Sequence, residues 1–411
     1  MSYRFLQFHT LTSYAASLLN RDDAGFAKRM PFGGAIRTRI SSQCLKRHWR
    51  TADDEHALKD MRVDGSEVPM SVRSRRTFEH HVYQPLIDAG IPGDVAEAVS
   101  HGILEVVLGE SKKAKAKKAE AAKKKAEDGE DDIDVRTKQV TVIGRPEIEY
   151  LRGIAEEVAH QATDAAEARN AMKDRLKDRA FRDNIRRVGA GLDAALFGRM
   201  TTGDILARTD AAIHVAHSFT VHKGQFETDY FSALDDLQEA QETGSGHINT
   251  AELSSGLFYG YVVVDVPLLV SNITGCVRTD WESADPDGRA LAAETIRRMV
   301  HLIAMISPGA KLGATAPYAH SHFVLAEAGN RQPRTLANAF LDAVQEEGAL
   351  RQAFEALDLH VGELDEMYGA TGERRLAAIG PFGALVRGLK DVKRSSLAEV
   401  ADWSAAQVRG E

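Results

Sequence analysis

The sequence has only two cysteines, Cys44 and Cys276, among its 411 residues. So few cysteines exclude a disulfide framework and indicate a reducing compartment. No succession of cationic, apolar and small residues follows Met1, so we expect a cytoplasmic protein without a secretory signal. The longest apolar run, at 257–270, is interrupted by an aspartate and a proline and is too short to span a bilayer. It predicts a buried strand, and no membrane partner is expected.

An excess of positive charge is also missing. The net charge of −8 and the pI near 6.0 argue against a generally basic nucleic-acid-binding protein, so any such binding needs a local patch. Residues 21–50 hold eight Lys or Arg and two acids, whereas residues 227–252 hold seven acids and no Lys or Arg. Opposite charges of this kind suit head-to-tail association of copies, although a solvated surface explains them equally well.

Motifs for phosphate cradles, dinucleotides and metals are absent or incomplete. The chain has no Gly-x-x-x-x-Gly-Lys run and no dinucleotide fingerprint. The run at 214–222 offers His214, His217 and His222, but His214 and His217 would point to opposite faces of a strand, so a shared metal ion is not expected. His320 and His322 share a strand face but lack a third ligand nearby. We therefore predict no metal site and no cofactor.

Two pairs of adjacent acids leave one catalytic alternative open. Asp22 with Asp23, and Asp235 with Asp236, are able to hold Mg²⁺ for phosphodiester cleavage if their carboxylates converge. Adjacent acids in a loop are more often caps or ion-pair partners of neighbouring cations. The sequence alone therefore predicts no catalytic residue, and a metal-dependent nuclease is the alternative reading.

Strand-like and helix-like segments are interleaved without a strict βαβ rhythm, which predicts an α+β fold with large insertions. We expect a strand at 3–14 and loop-like chain at 14–40, where turn residues are dense. The runs at 194–200, 211–222, 254–266 and 321–327 are strand-like, and helices are predicted at 90–108, 146–187, 289–306 and 334–346.

The segment "RISSQCLKRHWR" at 39–50 predicts a short helix with a basic face. Ser41 or Ser42 is a good N-cap. Helical spacing puts Leu45 and Trp49 on one side and the polar residues Gln43, Lys46, Arg47 and Arg50 on the other. With the glycine pair at 33–34, Arg37 and Arg39 would extend this face along a phosphate backbone. A basic helix that simply lies on the surface or pairs with an acidic neighbour is the equally weighted alternative.

A lysine-rich segment interrupts the chain at 111–134. Eight lysines within 111–125 precede six acids within 126–134, and large apolar residues are lacking. We expect an exposed, partly helical insertion. Contact with DNA is possible through its lysines, of which we single out Lys112, Lys113, Lys117 and Lys118, although a solvated charge run is the commoner case.

The stretch at 9–50 resembles the N-terminus of the CasC-type backbone subunit of Cascade, the type I-E CRISPR surveillance complex. Further similarity lies in "LFGRMTT", "AHSFTVH", "DYFSALDDLQEAQETGSGHINTAELSSGLFYGY", "SPGAKLGATAPY" and "PRTLANAFLDAV". These motifs extend along almost the whole chain and leave out the lysine-rich insertion and about the last thirty residues.

The resemblance implies a right-hand-shaped α+β fold. Its palm is RRM-like (ferredoxin-like), and it carries a helical fingers insertion and a protruding thumb. The expected parts are the first part of the palm with the basic helix (1–60), the fingers with the insertion (61–188), palm (189–219), thumb (220–255), and the remaining palm with C-terminal helices (256–411).

The resemblance also implies function and partners. Copies of such a subunit polymerise head to tail along crRNA, kink it at regular intervals with the thumb, and present guide bases to the target DNA strand. Expected partners are crRNA, target DNA, other copies of the chain, and the large, small, CasD-like and crRNA-processing CasE-like Cascade subunits. Such a subunit is not an enzyme, because a separate helicase-nuclease cuts the DNA.

By motif, the resemblance places particular residues at the RNA. Gln43, Lys46 and Arg50 would hold guide phosphates, with Arg21 and Lys28 as weaker candidates beside Arg37 and Arg39. Met200 and Phe231 would cap the kinked nucleotides, since an apolar or aromatic surface contributes about 1–3 kcal/mol per stacked base.

Overall fold

A computed structural model describes residues 2–107, 135–137, 139–199, 209–233 and 247–410. The predicted contacts Met200, Lys112, Lys113, Lys117 and Lys118 lie outside these ranges. Helices and strands are mixed along the chain, which confirms the expected α+β class. Within the described ranges, no helix combines the length and the apolar character that a membrane span requires.

The strands are named in chain order. They are β1 (Phe5–Ser17), β2 (Arg29–Phe32), β3 (Ala35–Ile40), β4 (Arg62–Val63), β5 (Ser66–Glu67), β6 (Ser71–Ser74), β7 (Thr141–Gly144), β8 (Ile213–Val215), β9 (Ser218–Thr220), β10 (Gln225–Ala233), β11 (His247–Asp265), β12 (Phe323–Gly329), β13 (Glu373–Ala378) and β14 (Lys393–Arg394).

The α-helices follow the same convention. They are α1 (Ser42–Arg50), α2 (Gln84–Asp88), α3 (Gly93–Val107), α4 (Arg145–Gln161), α5 (Ala165–Lys177), α6 (Arg179–Val188), α7 (Leu192–Phe197), α8 (Val266–Thr274), α9 (Pro286–Met305), α10 (Leu312–Thr315), α11 (Ala349–Tyr368) and α12 (Leu397–Arg409). A π-helical turn covers Glu79–Tyr83, and 3₁₀ turns cover Leu58–Asp60, Arg278–Ser283, Ala337–Phe340 and Phe382–Ala384.

The chain forms two units, residues 2–60 with 213–410, and residues 61–212. The second unit therefore extends beyond the boundary expected at 188. Its core is helical, with α3, α4 and α5 packed around Val99, Ile103, Leu151 and Met172. The pair β6 and β7 lies in the same unit.

The first unit is built on one large sheet, in which the strand order is β14-β13-β12-β1-β11-β9-β3-β2. β8 and β10 also pair with β11. Every neighbouring pair is antiparallel except β13 with β14. Between β1 and β8 the chain passes through α1 and the second unit, and between β11 and β12 it passes through α9.

Both faces of the central strand β1 are covered. Leu11 faces a core with Tyr259 and Phe354, where α11 packs. Tyr14 faces the opposite side with Ile40, next to α1. Burial on both faces explains why ten of the thirteen β1 residues are buried, including polar ones such as Gln7 and His9.

Several local predictions differ from the structure. The expected loop at 14–40 contains β2 and β3, which pair from Arg29 with Thr38 to Phe32 with Ala35. The strand-like run at 194–200 begins inside α7, and 257–270 is a strand only to Asp265, where Asp265 caps α8. The helix expected at 334–346 is a short 3₁₀ turn, and the longer helix α11 follows it. The helices expected at 90–108 and 289–306 are confirmed as α3 and α9.

Candidate nucleic-acid interface

Helix α1 begins at the predicted cap. The Ser41 side-chain oxygen accepts a hydrogen bond from the amide of Cys44 at 3.3 Å. Trp49 is only 3% exposed, and Leu45 packs against a small apolar cluster that includes Tyr14 and Ile40. The anchoring face is therefore the one that the spacing predicted.

The polar face of α1 reaches the surface. Gln43 and Arg47 are exposed, and Lys46 and Arg50 are half-buried. Because Lys46 and Arg50 are four residues apart, they occupy neighbouring positions on the same side of the helix. The face thus offers three cations and one amide in about two helical turns.

Asn20 fixes the chain that precedes α1. Its side-chain oxygen accepts the Ser41 amide at 2.9 Å, and its carbonyl accepts the Lys28 amide at 2.9 Å. The Lys28 carbonyl in turn accepts the Arg39 amide at 2.8 Å. These bonds hold Lys28 and Arg39 next to the start of the helix, a role for Asn20 that no sequence motif signalled.

His217 joins Arg39 to the first turn of α1. Its Nδ1 atom lies 3.3 Å from Arg39 Nη1 and 3.2 Å from the amide of Ser42. Burial and then the Arg39 charge lower the pKa of His217, with a smaller contribution from Lys28. A neutral ring accepts both bonds at Nδ1, which leaves the proton on Nε2.

The cations of the loop and of the helix influence one common group. Burial raises the pKa of the Cys44 thiol, and the charges of Lys28 and Arg47 oppose this rise. Hydrogen bonds hold Lys28 and Arg39 beside the first turn of α1, whose polar face carries Gln43, Lys46, Arg47 and Arg50. We call these six residues the basic surface.

An open cleft of about 460 Å³ adjoins the basic surface. Its lining consists of Asp22, Asp23, Phe26, Ala27, Lys28, Arg29, Arg39 and Glu252. The guanidinium of Arg29 lies 3.7 Å from the centre of the Phe226 ring and pairs with Glu252. The other Glu252 oxygen accepts the Ala27 amide at 3.0 Å. Strands β2 and β10–β11 are thereby joined at one wall of the cleft.

Strands β10 and β11 form a long hairpin. Their pairing extends from Gln225 with Ser255 to Ala233 with His247, whereas β1 pairs with β11 only from Ser254 onward. Residues 247–253 of β11 therefore pair with β10 and not with β1. The predicted base-capping residue Phe231 lies in β10 opposite Asn249, but its side chain is outside the described part of the chain.

The expectation that Arg37 contacts a phosphate requires correction. The side chain is fully buried. Its guanidinium donates to the carbonyl oxygens of Phe32 at 3.3 Å, Thr220 at 3.0 Å and Phe340 at 2.9 Å. Burial lowers the pKa of Arg37, as expected for a cation held by neutral acceptors. Arg37 thus joins three segments of the first unit and does not reach solvent.

The glycine pair at 33–34 also has a structural role. Gly33 and Gly34 connect β2 to β3 with φ angles of +57° and +74°. Positive φ at both central residues is typical of a two-residue hairpin turn. A Cβ on Gly33 would lie 1.6 Å from the Leu341 carbonyl oxygen. Close packing against Leu341 therefore requires glycine at this position.

Asp22 organises the loop between β1 and β2. Its Oδ1 atom accepts the amides of Ala24 and Phe26, both at 3.0 Å. Arg21 is exposed at the edge of the same loop, where its backbone forms an isolated antiparallel β-bridge with Ala27. Across the described ranges, no group of three or more His, Cys, Asp or Glu side chains is arranged to hold a metal ion.

The structure brings together most of the predicted phosphate contacts. Lys28, Arg39, Gln43, Lys46 and Arg50 belong to the basic surface, and Arg21 is exposed in the adjoining loop. Sequence reasoning omitted Arg29, although it follows Lys28 directly. It also left Arg47 out of the predicted contacts, although Arg47 shares the helical arc of Gln43 and Arg50.

Comparison with known proteins places the chain in a family. Residues 6–403 match the family described as CT1975-like protein. The chain belongs to the CT1975-like protein family. No curated protein matches it.

Solved structures are similar to this CT1975-like protein over nearly its full length. A chain of a "CRISPR RNA-guided surveillance complex, pre-nicking" is 26% identical with a TM-score of 0.73, and the match covers 98% of this chain and 100% of that one. A chain of a "CRISPR RNA-guided surveillance complex" is 22% identical with a TM-score of 0.54, and the match covers 98% of both. The second similarity supports the fold alone.

Proposed function

We propose that the chain is a non-catalytic backbone subunit of a CRISPR RNA-guided surveillance complex and that it binds guide RNA along the basic surface. The observation that carries this proposal is the convergence of Lys28, Arg39, Lys46 and Arg50 around one rigidly anchored helix. Cations on a fixed element neutralise a phosphate backbone without reading its bases. Similarity over the full length to a subunit of such a complex supports the same function.

The sheet supports an RRM-like palm. Strands β12, β1, β11 and β8 lie side by side, and helices connect β1 to β8 and β11 to β12. This is the order of a split βαβ unit repeated twice. The hairpin β10–β11 falls within the expected thumb at 220–255, and the helical second unit corresponds to the fingers.

In this proposal the hairpin kinks the guide RNA at intervals and leaves the bases between the kinks free to pair with target DNA. Copies of the chain associate head to tail, and the remaining Cascade-like subunits complete a cytoplasmic assembly. The CasC-type, type I-E assignment remains a prediction within this proposal.

Charge reversal tests the basic surface. We expect Lys46→Glu with Arg50→Glu in the full chain to abolish co-purification of RNA. The salt dependence of single-stranded RNA binding should also become shallower, by roughly 0.7 in log–log slope per lost phosphate contact. Lys390→Glu with Lys393→Glu is the matched control, because these exposed lysines lie near the opposite edge of the sheet. Wild-type affinity and slope in the α1 variant would reject the proposal.

Incubation with Mg²⁺ tests the non-catalytic part. The RNA-loaded protein is mixed with complementary RNA or DNA, and we expect both strands to remain intact. Cleavage at regular spacing that Asp22→Asn or Asp23→Asn removes would favour the nuclease alternative instead.

A further inference from the structure

The loop at 307–321 is fastened at its base. It contains the motif "SPGAKLGATAPY", to which the proposed function assigns no role. The amide of Ala310 donates to the Leu18 carbonyl at 2.8 Å. The Ser307 hydroxyl donates to the Ala319 carbonyl at 2.9 Å and accepts the Ala319 amide at 3.0 Å. The two ends of the loop are thus held in place.

This loop borders helix α1. Ala319 packs on the apolar cluster of Tyr14 and Phe258, and the same cluster receives Cys44 and Leu45 from α1. Leu18, which bridges the loop, is two residues before Asn20, the residue that positions the start of α1. The loop therefore lies next to α1, the helix that carries most of the basic surface.

The loop exposes an aromatic ring one residue before its fastened end at Ala319. Tyr318 is 77% exposed, the largest fraction among the big hydrophobic side chains in the described part of the chain, and Leu312 beside it is also exposed. The preceding residue, Pro317, is buried and fixes the backbone from which the ring projects. The backbone that carries the ring is thus restrained, and the ring itself is open to solvent.

Backbone strain indicates that the loop shape is imposed. Lys311 and Ala316, which flank α10, have φ angles of +55° and +37°. Such conformations of non-glycine residues cost on the order of 1–3 kcal/mol each and cluster at functional positions. The loop has no Asp or Glu between Ser307 and Ser321, and Lys311 and His320 are exposed. The surroundings of Tyr318 are therefore compatible with a polyanion.

We propose that Tyr318 is a stacking platform for one base of the single-stranded nucleic acid that the basic surface holds. This inference rests on the proposed function and adds a contact to it. A tyrosine ring stacks on any base, since every base has a π-face, so the contact is independent of sequence. Hydrogen bonding through the hydroxyl is not required.

The test compares two probes. Affinity of the full chain is measured for a labelled single-stranded oligo(A) RNA and for an abasic strand of the same length. We expect Tyr318→Ala to weaken oligo(A) binding roughly 5- to 150-fold, as loss of one stacked base implies, and to leave the abasic strand unaffected. Tyr318→Phe should retain both affinities. Tyr368→Ala, at the end of α11, is the control for an exposed tyrosine elsewhere.

The outcomes separate this inference from the proposed function. Unchanged oligo(A) affinity in Tyr318→Ala overturns stacking, as does an equal loss for the abasic strand or for Tyr318→Phe. An effect on assembly along long RNA without a loss on the short strand also overturns it and indicates contact with a second copy. Insensitivity of RNA binding to reversal of Lys46 and Arg50 rejects the proposed function, whatever Tyr318 does.

Discussion

The guanidinium of Arg29 lies over the ring of Phe226, 3.7 Å from its centre, and is also paired with Glu252. Arg29 belongs to β2, whereas Phe226 and Glu252 belong to the two strands of the long hairpin. One cation of the cleft therefore helps to hold the hairpin base. Glu252, one of the acids concentrated at 227–252, is therefore paired with a cation of the same chain.

Replacement of Arg29 by Gln should loosen the base of this hairpin. A cation–π contact at a partly exposed site contributes about 0.5–1 kcal/mol, and an exposed ion pair adds little. We expect faster amide hydrogen exchange near Phe226 at the start of β10. Arg21→Gln removes the same charge from the neighbouring loop and should leave that exchange unchanged. Identical protection in both variants would mean that Arg29 does not fix the hairpin.

Replacement of Arg37 by Met should destabilise the fold without altering the salt dependence of RNA binding. Loss of the guanidinium leaves three carbonyl acceptors without their donor, and a buried unsatisfied group costs about 1–3 kcal/mol. We expect a loss of roughly 3 kcal/mol in the free energy of unfolding, measured by chemical denaturation. Arg39→Met, at a half-buried position, should cost much less. A shallower salt dependence of RNA binding in Arg37→Met would instead support the predicted contact between Arg37 and a phosphate.

The neighbouring serines at the start of α1 offer a matched pair. Ser41 accepts a hydrogen bond from a backbone amide in the first turn of α1, whereas the Ser42 hydroxyl donates to the Gln43 side-chain oxygen at 3.3 Å. Ser41→Ala should lower the free energy of unfolding by about 1 kcal/mol, and Ser42→Ala should change it by less than about 0.5 kcal/mol. Thermal unfolding of both variants measures the difference. Equal losses would show that the cap does not stabilise the fold.

Features with local causes were predictable from sequence, and features with distant partners were not. The cap, basic face and buried Trp49 of α1 follow from spacing within one short segment. The roles of Arg37 and Gly33 depend on Phe340 and Leu341, which lie some 300 residues away in sequence. Sequence periodicity predicts neither contact, because a charged Arg37 and a flexible Gly33 are equally compatible with an exposed loop.

The same reasoning explains errors in the elements. Strands β2 and β3 are short, and the segment around them is dense in Gly, Pro, Asn and Asp, so its composition resembles a loop, although β3 pairs with β9 in the large sheet. The segment 334–346, expected to be helical, contains only a short 3₁₀ turn, and α11, which follows it, was not among the predicted helices. The polymerising, RNA-kinking role and the CRISPR subtype stay predictions, since they concern assemblies rather than the fold of one chain.

A buried ion network opposite α1 predicts acid sensitivity. Glu327 lies 3.1 Å from His9 Nε2 and 2.7 Å from Arg374 Nε. Burial raises the pKa of Glu327, but the hydrogen bond from His9 and the charges of His9, Arg374 and Arg334 outweigh it and hold the pKa at about 2. An unfolded glutamate titrates near 4.3. Its contribution to stability is therefore complete above about pH 4.3 and is lost as the pH falls toward 2.

Glu327→Gln tests the direction of this pH dependence of stability. The variant leaves Arg374 partly uncompensated in the core, so at neutral pH we expect a loss of about 3–5 kcal/mol in the free energy of unfolding. Because Gln does not titrate, the gap between wild type and variant should narrow as the pH falls below about 4.3. Glu373→Gln, on the exposed end of β13, should keep the wild-type profile. A gap that stays constant with pH would mean that Glu327 acts through packing and not through its charge.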